Sequence, residues 1–133
     1  MSYLKSLLQL VVHMKFSNPY WSNKLKMGSL QRWIIVHSIL YYEFDNAIIE
    51  DKLFDANARQ LVELQKAYPD EAKESEYWYV FHDFDGSTGF DLYHRLNKHD
   101  AAYLKQIAEH VLRMGGTENA QKQRRRSSKA NNR

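Results

Sequence analysis

The feature that most constrains the fold is a repeat of apolar residues at helical spacing, interrupted by a short polar segment. Between Ser29 and Phe44, apolar or aromatic residues recur every three or four positions, which predicts a helix with one buried stripe. Asp45 and Asn46 follow, and because their side chains readily bond to nearby backbone, they favour a turn. We expect the first helix to end there. The predicted stripe is Leu30, Trp33, Ile34, His37, Tyr41 and Phe44.

A second helix is predicted from about Asp51 to Ala67. The charge of Asp51 suits a helix N-terminus, and the residue before Pro69 disfavours helical backbone, so the helix should end there. Two helices joined by a short connection lie roughly antiparallel, which predicts a helical hairpin. The residues expected along one side of this helix are Leu53, Asn57, Leu61, Leu64 and Tyr68.

The rest of the chain predicts one more helix and one extended segment. A third helix is expected from Asp100 to Met114, with Gly115 and Gly116 as its stop. Residues 77–81 are aromatic or β-branched, so we expect a short extended or β segment around residues 77–90, with a turn at Gly86 and Phe90 in the core. The predicted class is mainly α. The expected stripe of the third helix is Ala101, Leu104, Ile107, Ala108 and Val111.

Charge divides the chain into three parts. Residues 1–26 carry four lysines and no acid, residues 27–116 carry nine bases and fifteen acids, and residues 117–133 carry six bases and one acid. We therefore expect an N-terminal extension, a helical domain over 27–116, and a basic tail that is disordered because it has almost nothing to bury. The acidic domain argues against a broad nucleic-acid-binding face. At most, a weak phosphate contact is expected from Arg124, Arg125 and Arg126.

The N-terminal part allows two interpretations. The apolar run over residues 4–14 is interrupted by polar residues and is shorter than the roughly twenty residues needed to span a bilayer, so it predicts a short amphipathic helix without a membrane role. Alternatively, translation starts at Met27 and Ser29 caps the first helix.

The chain has no cysteine, which excludes thiolate chemistry and disulfides and fits a cytoplasmic protein. The six histidines show no metal-ligand spacing, so no metal is expected.

The predicted hairpin brings aromatic and acidic residues to one end. Aromatic rings can stack on a planar cationic heterocycle, while carboxylates accept hydrogen bonds from ribose hydroxyls. The candidate binding residues are therefore Tyr41, Tyr42, Asp51, Phe54 and Asp55, with His37 one helical turn before Tyr41. A plainer explanation stays open, in which the rings belong to the core and the acids only stabilise the start of a helix.

The stretch from His37 to Pro69 resembles domain Ia of the bacterial NAD-dependent DNA ligases. That domain has the pattern H-x-x-x-Y-[YH]-x-x-D-x-P-x-I-x-D-x-x-[YF]-D, followed by a helix ending E-L-x-x-x-x-P. The resemblance implies that the candidate binding residues hold nicotinamide mononucleotide (NMN), one half of NAD. Two positions differ: Phe54 stands where the family usually has tyrosine, and Ala47 replaces its proline. The matching positions are His37, Tyr41, Tyr42, Asp45, Ile49, Asp51, Phe54, Asp55, Leu61, Leu64 and Pro69.

The catalytic part of such ligases has no counterpart in this sequence. In the family, a nucleotidyltransferase domain follows, and the lysine of its K-x-D-G motif becomes adenylated. No K-x-D-G occurs here, and 133 residues are too few for that fold beside the hairpin. We therefore expect no enzyme activity, no catalytic residue and no required cofactor, with NMN or NAD as the candidate ligand.

A rival interpretation concerns the segment from Asp83 to Thr88. Its sequence DFDGST resembles the D-x-D-G-T loop of haloacid-dehalogenase-type phosphatases, in which the two carboxylates act as nucleophile and general acid beside magnesium. That loop follows the first strand of a much longer doubly wound domain. Too little of the sequence remains after Thr88 for such a domain, so this alternative is disfavoured.

The longer string DFDGSTGFDL is similar to a segment of small proteins of bacterial viruses that carry the same hairpin. This resemblance covers about residues 30–112. It leads to the hypothesis of a non-catalytic bacteriophage accessory protein that acts in the host cytoplasm and binds a nicotinamide nucleotide. The alternative is a protein-interaction module that binds and inhibits a host defence or NAD-linked protein.

Overall fold

The first helix, α1, begins earlier than the sequence suggested. The computed structural model describes residues 21–131, with side chains up to residue 115. Helix α1 spans Asn23–Ser38, and the side chain of Ser22 caps it by accepting a 3.1 Å hydrogen bond from the amide of Leu25. The expected cap at Ser29 is wrong, because Ser29 lies within the helix. The predicted amphipathic helix over residues 4–14 lies outside the described residues.

Helix α1 continues into a π-helical turn, Ile39–Glu43, before the chain reverses. Asp45 adopts left-handed backbone with φ 48°, a conformation that aspartate tolerates better than most residues. The amide of Asn46 then donates a 2.9 Å hydrogen bond to the carbonyl of Leu40, which closes the helix end. The break expected at Asp45 and Asn46 is confirmed.

Helix α2 spans Asp51–Ala67, as predicted, and Pro69 begins the short helix α3, Pro69–Lys73. The middle of α1 meets the end of α2, where the amide group of Gln31 donates to the side chain of Gln65 at 3.2 Å. The end of α1 lies beside the start of α2. The two helices are therefore antiparallel, and the helical hairpin is confirmed.

The buried side of α2 differs in part from the expected one. Leu61 is buried as predicted, but Ala58 is the other fully buried residue of this helix. Leu53 and Tyr68 are exposed, since the side that packs on α1 is centred on residues 58 and 61. The predicted stripe therefore differs from the observed contact face at both ends of α2.

The run expected to be extended forms a helix instead. Helix α4 spans Trp78–Phe81, and the short helix α5 follows at Leu92–Arg95. Tyr77, Val80 and Phe81 are buried, which is the three- and four-residue spacing of a helix rather than the alternation of a strand. The described residues contain no strand, so the β segment around 77–90 is wrong although the mainly α class is confirmed.

The last helix, α6, spans Lys98–Asn131 and buries Leu104, Ala108 and Val111 as expected. The stop expected at Gly115 and Gly116 is wrong. Gly115 instead permits a close contact, because a Cβ on it would lie 2.9 Å from Cδ1 of Ile48. The backbone past residue 117 is helical to Asn131 where the sequence predicted a disordered tail; this segment is rich in alanine, glutamine, lysine and arginine, which favour helices.

Helix α1 occupies the centre of the molecule. It contacts α2, α3, α5 and α6, and all residues from Trp33 to Ser38, together with Ile39 and Leu40 of the π-helical turn, are buried. The hairpin therefore supplies about half of the buried hydrophobic residues of the core. Within residues 21–131, no helix is both long enough and apolar enough to cross a membrane.

Candidate functional site

A recess of about 250 Å³ opens at the hairpin end where α1 finishes and α2 begins. All six residues that the sequence singled out line this one recess, although they come from α1, the π-helical turn and α2. The structure therefore brings together every candidate binding residue; their contact with a ligand stays a prediction. The full lining is His37, Ser38, Tyr41, Tyr42, Ala47, Ile48, Ile49, Asp51, Phe54, Asp55, Ser87 and Thr88.

The inner part of the recess rests on packed rings. His37 is only 3% exposed, and its ring centroid lies 4.4 Å from that of Trp33. Trp33 also lies 6.2 Å from the ring of Phe54. Because Trp33 is itself buried, it fixes both His37 and Phe54 and joins the wall of the recess to the core.

The outer rim is aromatic and open to solvent. Tyr41 is 51% exposed and Tyr42 40%, and their rings meet edge to face at 4.7 Å. The expectation that Tyr41 continues the buried stripe of α1 is wrong, because the π-helical turn adds a residue to that turn and rotates Tyr41 outward. Phe90 was expected in the core but is 63% exposed and meets the ring of Tyr42 edge to face at 5.4 Å.

Two carboxylates stand at the start of α2. Asp51 and Asp55 are one turn apart, and both are exposed. Neither forms an ion pair or a side-chain hydrogen bond with another residue that the structure describes. The recess lining holds no lysine and no arginine. These carboxylates can therefore accept hydrogen bonds from hydroxyl groups of a ligand and attract a positive charge.

Three hydroxyl side chains complete the recess, and sequence reasoning missed them as site residues. Ser87 and Thr88 line it from the segment between α4 and α5, and Thr88 Oγ1 lies 3.0 Å from the hydroxyl of Tyr42. Ser38 is buried, and its Oγ has no hydrogen-bond partner among the described residues. A buried hydroxyl without a partner is costly unless something outside the fold satisfies it.

The loop that carries Ser87 is shaped by local hydrogen bonds. Asp85 Oδ1 accepts from the amide of Ser87 at 2.9 Å and from its hydroxyl at 2.6 Å, and these bonds lower the pKa of Asp85. Gly86 has φ 85°, so the turn expected there is confirmed. Gly89 passes so near α1 that a Cβ on it would lie 2.1 Å from Ser38 Oγ and 3.2 Å from Cζ of Phe54.

The phosphatase alternative finds no support in this geometry. Asp83, its expected nucleophile, forms a 2.5 Å ion pair with Arg95, and that hydrogen bond lowers the pKa of the carboxyl. Asp85, its expected general acid, holds the turn through Ser87 and has a lowered pKa, which opposes proton donation. Among the described residues, no group of three or more histidines and acids is placed to hold a metal ion.

Comparison with known proteins gives one match. Residues 22–75 match the family described as DNA ligase-like, N-terminal NAD+-binding domain. This segment contains α1, the π-helical turn, α2 and α3, so it includes every candidate binding residue but not Ser87 or Thr88. The resemblance to domain Ia is thereby confirmed, and no catalytic ligase domain is matched. No match was found among curated proteins or among solved structures.

Proposed function

We propose that the recess binds a nicotinamide nucleotide, either NMN or the NMN half of NAD. The observation that carries the proposal is the pair of unpartnered carboxylates, Asp51 and Asp55, in one recess with exposed aromatic rings. A cationic pyridinium on a ribose is complementary to that combination in charge, in shape and in hydrogen bonding. The match of residues 22–75 to an NAD+-binding domain supports the same ligand class.

In this proposal, each part of the recess has a distinct task. The nicotinamide ring stacks on the rim formed by Tyr41 and Tyr42 and is attracted by their negative faces. The ribose hydroxyls donate to Asp51 and Asp55. The unpartnered hydroxyl of Ser38 bonds the carboxamide or a ribose oxygen, which removes the cost of its burial.

Binding without catalysis is the second part of the proposal. The recess holds no lysine that could become adenylated and no group of residues placed to hold a metal. We therefore propose that the protein recognises the nucleotide and carries out no ligation. Its origin in a bacterial virus is a further hypothesis, which the D-G-S-T-G-F segment suggests.

Calorimetric titration with NMN and with NAD tests the proposal. We expect saturable heat from both ligands, and we expect Asp55→Asn to weaken binding by about tenfold or more, because it removes a charged acceptor. Asp70→Asn is the matched control, since Asp70 is an exposed acid outside the recess. Absence of heat from both ligands at millimolar concentration would refute the proposal.

A second candidate function is supported by the exposed rings at the rim. Tyr41, Tyr42 and Phe90 form a continuous aromatic surface, and surfaces of this kind are enriched in protein interfaces. Under this alternative, the protein binds and inhibits a host protein, such as a defence or NAD-linked enzyme. If Phe90→Ser abolishes a host-protein complex that Asp55→Asn leaves intact, the interaction function is favoured over nucleotide binding.

A further inference from the structure

A second and more open recess, of about 470 Å³, lies beside the first one along α2. The two recesses share only Asp55 and Ser87, which form the boundary between them. Arg59 and Lys66 lie on the far side of this boundary and line the second recess but not the first. The basic groups that the first recess lacks are therefore present immediately next to it.

Both cations lie on the side of α2 that carries Asp55. Arg59 is one helical turn beyond Asp55, and Lys66 lies about two turns further on. Both side chains are exposed, and neither forms an ion pair with another described residue. Of the acids in this recess, Asp85 is already bonded by Ser87, which leaves Glu63 and the boundary residue Asp55. The site is thus able to pair with an anionic group.

We propose that Arg59 and Lys66 bind the phosphate of a nicotinamide nucleotide whose ring and ribose occupy the first recess. The order of chemical groups along the protein is aromatic rim, then the carboxylate of Asp55, then the two cations. The order along the ligand is cationic ring, ribose and phosphate. The ribose then lies at the boundary, and the phosphate crosses it beside Ser87, whose backbone is held by Asp85.

This inference rests on the proposed function and adds to it the part of the ligand that the first recess cannot hold. A phosphate placed among Asp51 and Asp55 would meet like charge and no cation, so NMN would bind more weakly than its riboside. With the phosphate beside Arg59 and Lys66, NMN binds more tightly instead. Neither cation is one of the aromatic and acidic residues that the sequence singled out.

The experiment compares nicotinamide riboside, which has no phosphate, with NMN by calorimetry. For the unmodified protein we expect NMN to bind about tenfold more tightly, with an advantage that shrinks as salt is raised. In the double variant Arg59→Gln, Lys66→Gln, we expect this advantage to disappear while riboside binding is unchanged. Lys52→Gln is the matched control, an exposed lysine of the same helix outside both recesses.

The outcomes separate this inference from the proposed function. If the riboside binds and requires Asp55, but NMN binds no more tightly, the phosphate site is refuted and the nucleotide recess stands. The same conclusion follows if the double variant keeps the preference for NMN. If neither ligand binds, the proposed function fails and the phosphate site fails with it. Circular dichroism of each variant verifies that these exposed substitutions leave the helices intact.

Discussion

The two ends of the α1–α2 hairpin differ in the hydrogen bonding of one buried amide and two exposed carboxylates. At the first end, Gln31 is fully buried and donates to Gln65 at 3.2 Å and to Ser75 at 2.8 Å, while its oxygen accepts from the amide of Tyr77 at 3.1 Å. We call this the paired end. At the other end, which we call the recess end, Asp51 and Asp55 have no such partners among the described residues.

The difference separates a part of the molecule that stabilises the fold from one that is available to a ligand. Buried polar groups are normally satisfied within the protein, as the side-chain amide of Gln31 is at the paired end. Exposed carboxylates beside aromatic rings, together with the unpartnered Ser38 hydroxyl, leave hydrogen-bonding capacity unused at the recess end. The same two helices therefore supply both a rigid, hydrogen-bonded end and the surface that we propose binds the nucleotide.

The largest expected effect comes from breaking the paired end. Gln31→Met keeps the size of the side chain but leaves the buried amide of Tyr77 without its acceptor. We expect the free energy of unfolding to fall by about 3 kcal/mol, because several buried groups lose partners at once. Asp51→Asn at the recess end should lower it by less than about 1 kcal/mol. Urea unfolding followed by circular dichroism measures both values.

Gln106→Met is the control for the first of these variants, since Gln106 is exposed on α6 and should tolerate the change. If Asp51→Asn destabilised the protein as strongly as Gln31→Met, the division between the two ends would be wrong. The acids of the recess end would then be structural, and the case for a ligand would weaken.

The sequence predicted the recess end better than the paired end, and the reason is the range of the interactions. Residues that line the recess from the hairpin are near in sequence, so helical spacing and the turn at Asp45 place them together. Gln31, by contrast, meets Ser75 and Tyr77 across the fold, with no local signal. The prediction of an extended segment was wrong for a related reason. Residues 77–81 have a strand-like composition, but their buried positions follow helical spacing.

The position of Ser87 and Thr88 in the recess could not be predicted from their local sequence either. Ser87 and Thr88 could be recognised as turn residues, but nothing in their own segment indicates that the turn lies against α1 and α2. The size and apolar character of Phe90 predict a core position, but the ring is exposed and packs edge to face on Tyr42 at the rim. Composition predicts burial only on average, so a single large apolar residue such as Phe90 can lie at the surface.

An intermediate effect is expected where the loop touches the hairpin. In Gly89→Ala, the new Cβ would lie 2.1 Å from Ser38 Oγ, 3.1 Å from Ser38 Cβ and 3.2 Å from Cζ of Phe54, so the Ser38 side chain must rotate and the loop must also shift slightly. We expect a loss of about 2 kcal/mol of stability in thermal or urea unfolding, and a reduced affinity for NMN, because Ser87 and Thr88 move with the loop. The losses of stability and of affinity would both show that the loop packs tightly on the hairpin at the recess end.

Gly28→Ala is the matched control for that variant. Gly28 lies within α1, and a Cβ there meets nothing within 4 Å, so alanine should stabilise the helix by about 1 kcal/mol. If Gly89→Ala were as harmless as Gly28→Ala, the loop would not be held against the hairpin, and Ser87 and Thr88 would no longer form a fixed wall.

The smallest expected effect concerns the hydrogen bond between Tyr42 and Thr88, which joins the rim to the loop at 3.0 Å. Because both side chains are exposed, Thr88→Val should cost only about 0.5 kcal/mol of unfolding free energy, and Thr88→Ser, which keeps the hydroxyl, less. In the Tyr42→Phe background the bond is already absent, so Thr88→Val should then cost measurably less. Strict additivity of the two substitutions in a double-mutant cycle would show that the bond contributes nothing. A measured coupling would instead show that a residue outside the ligase-like segment helps to fix the position of Tyr42, so that the recess end is built by the whole domain rather than by the hairpin alone.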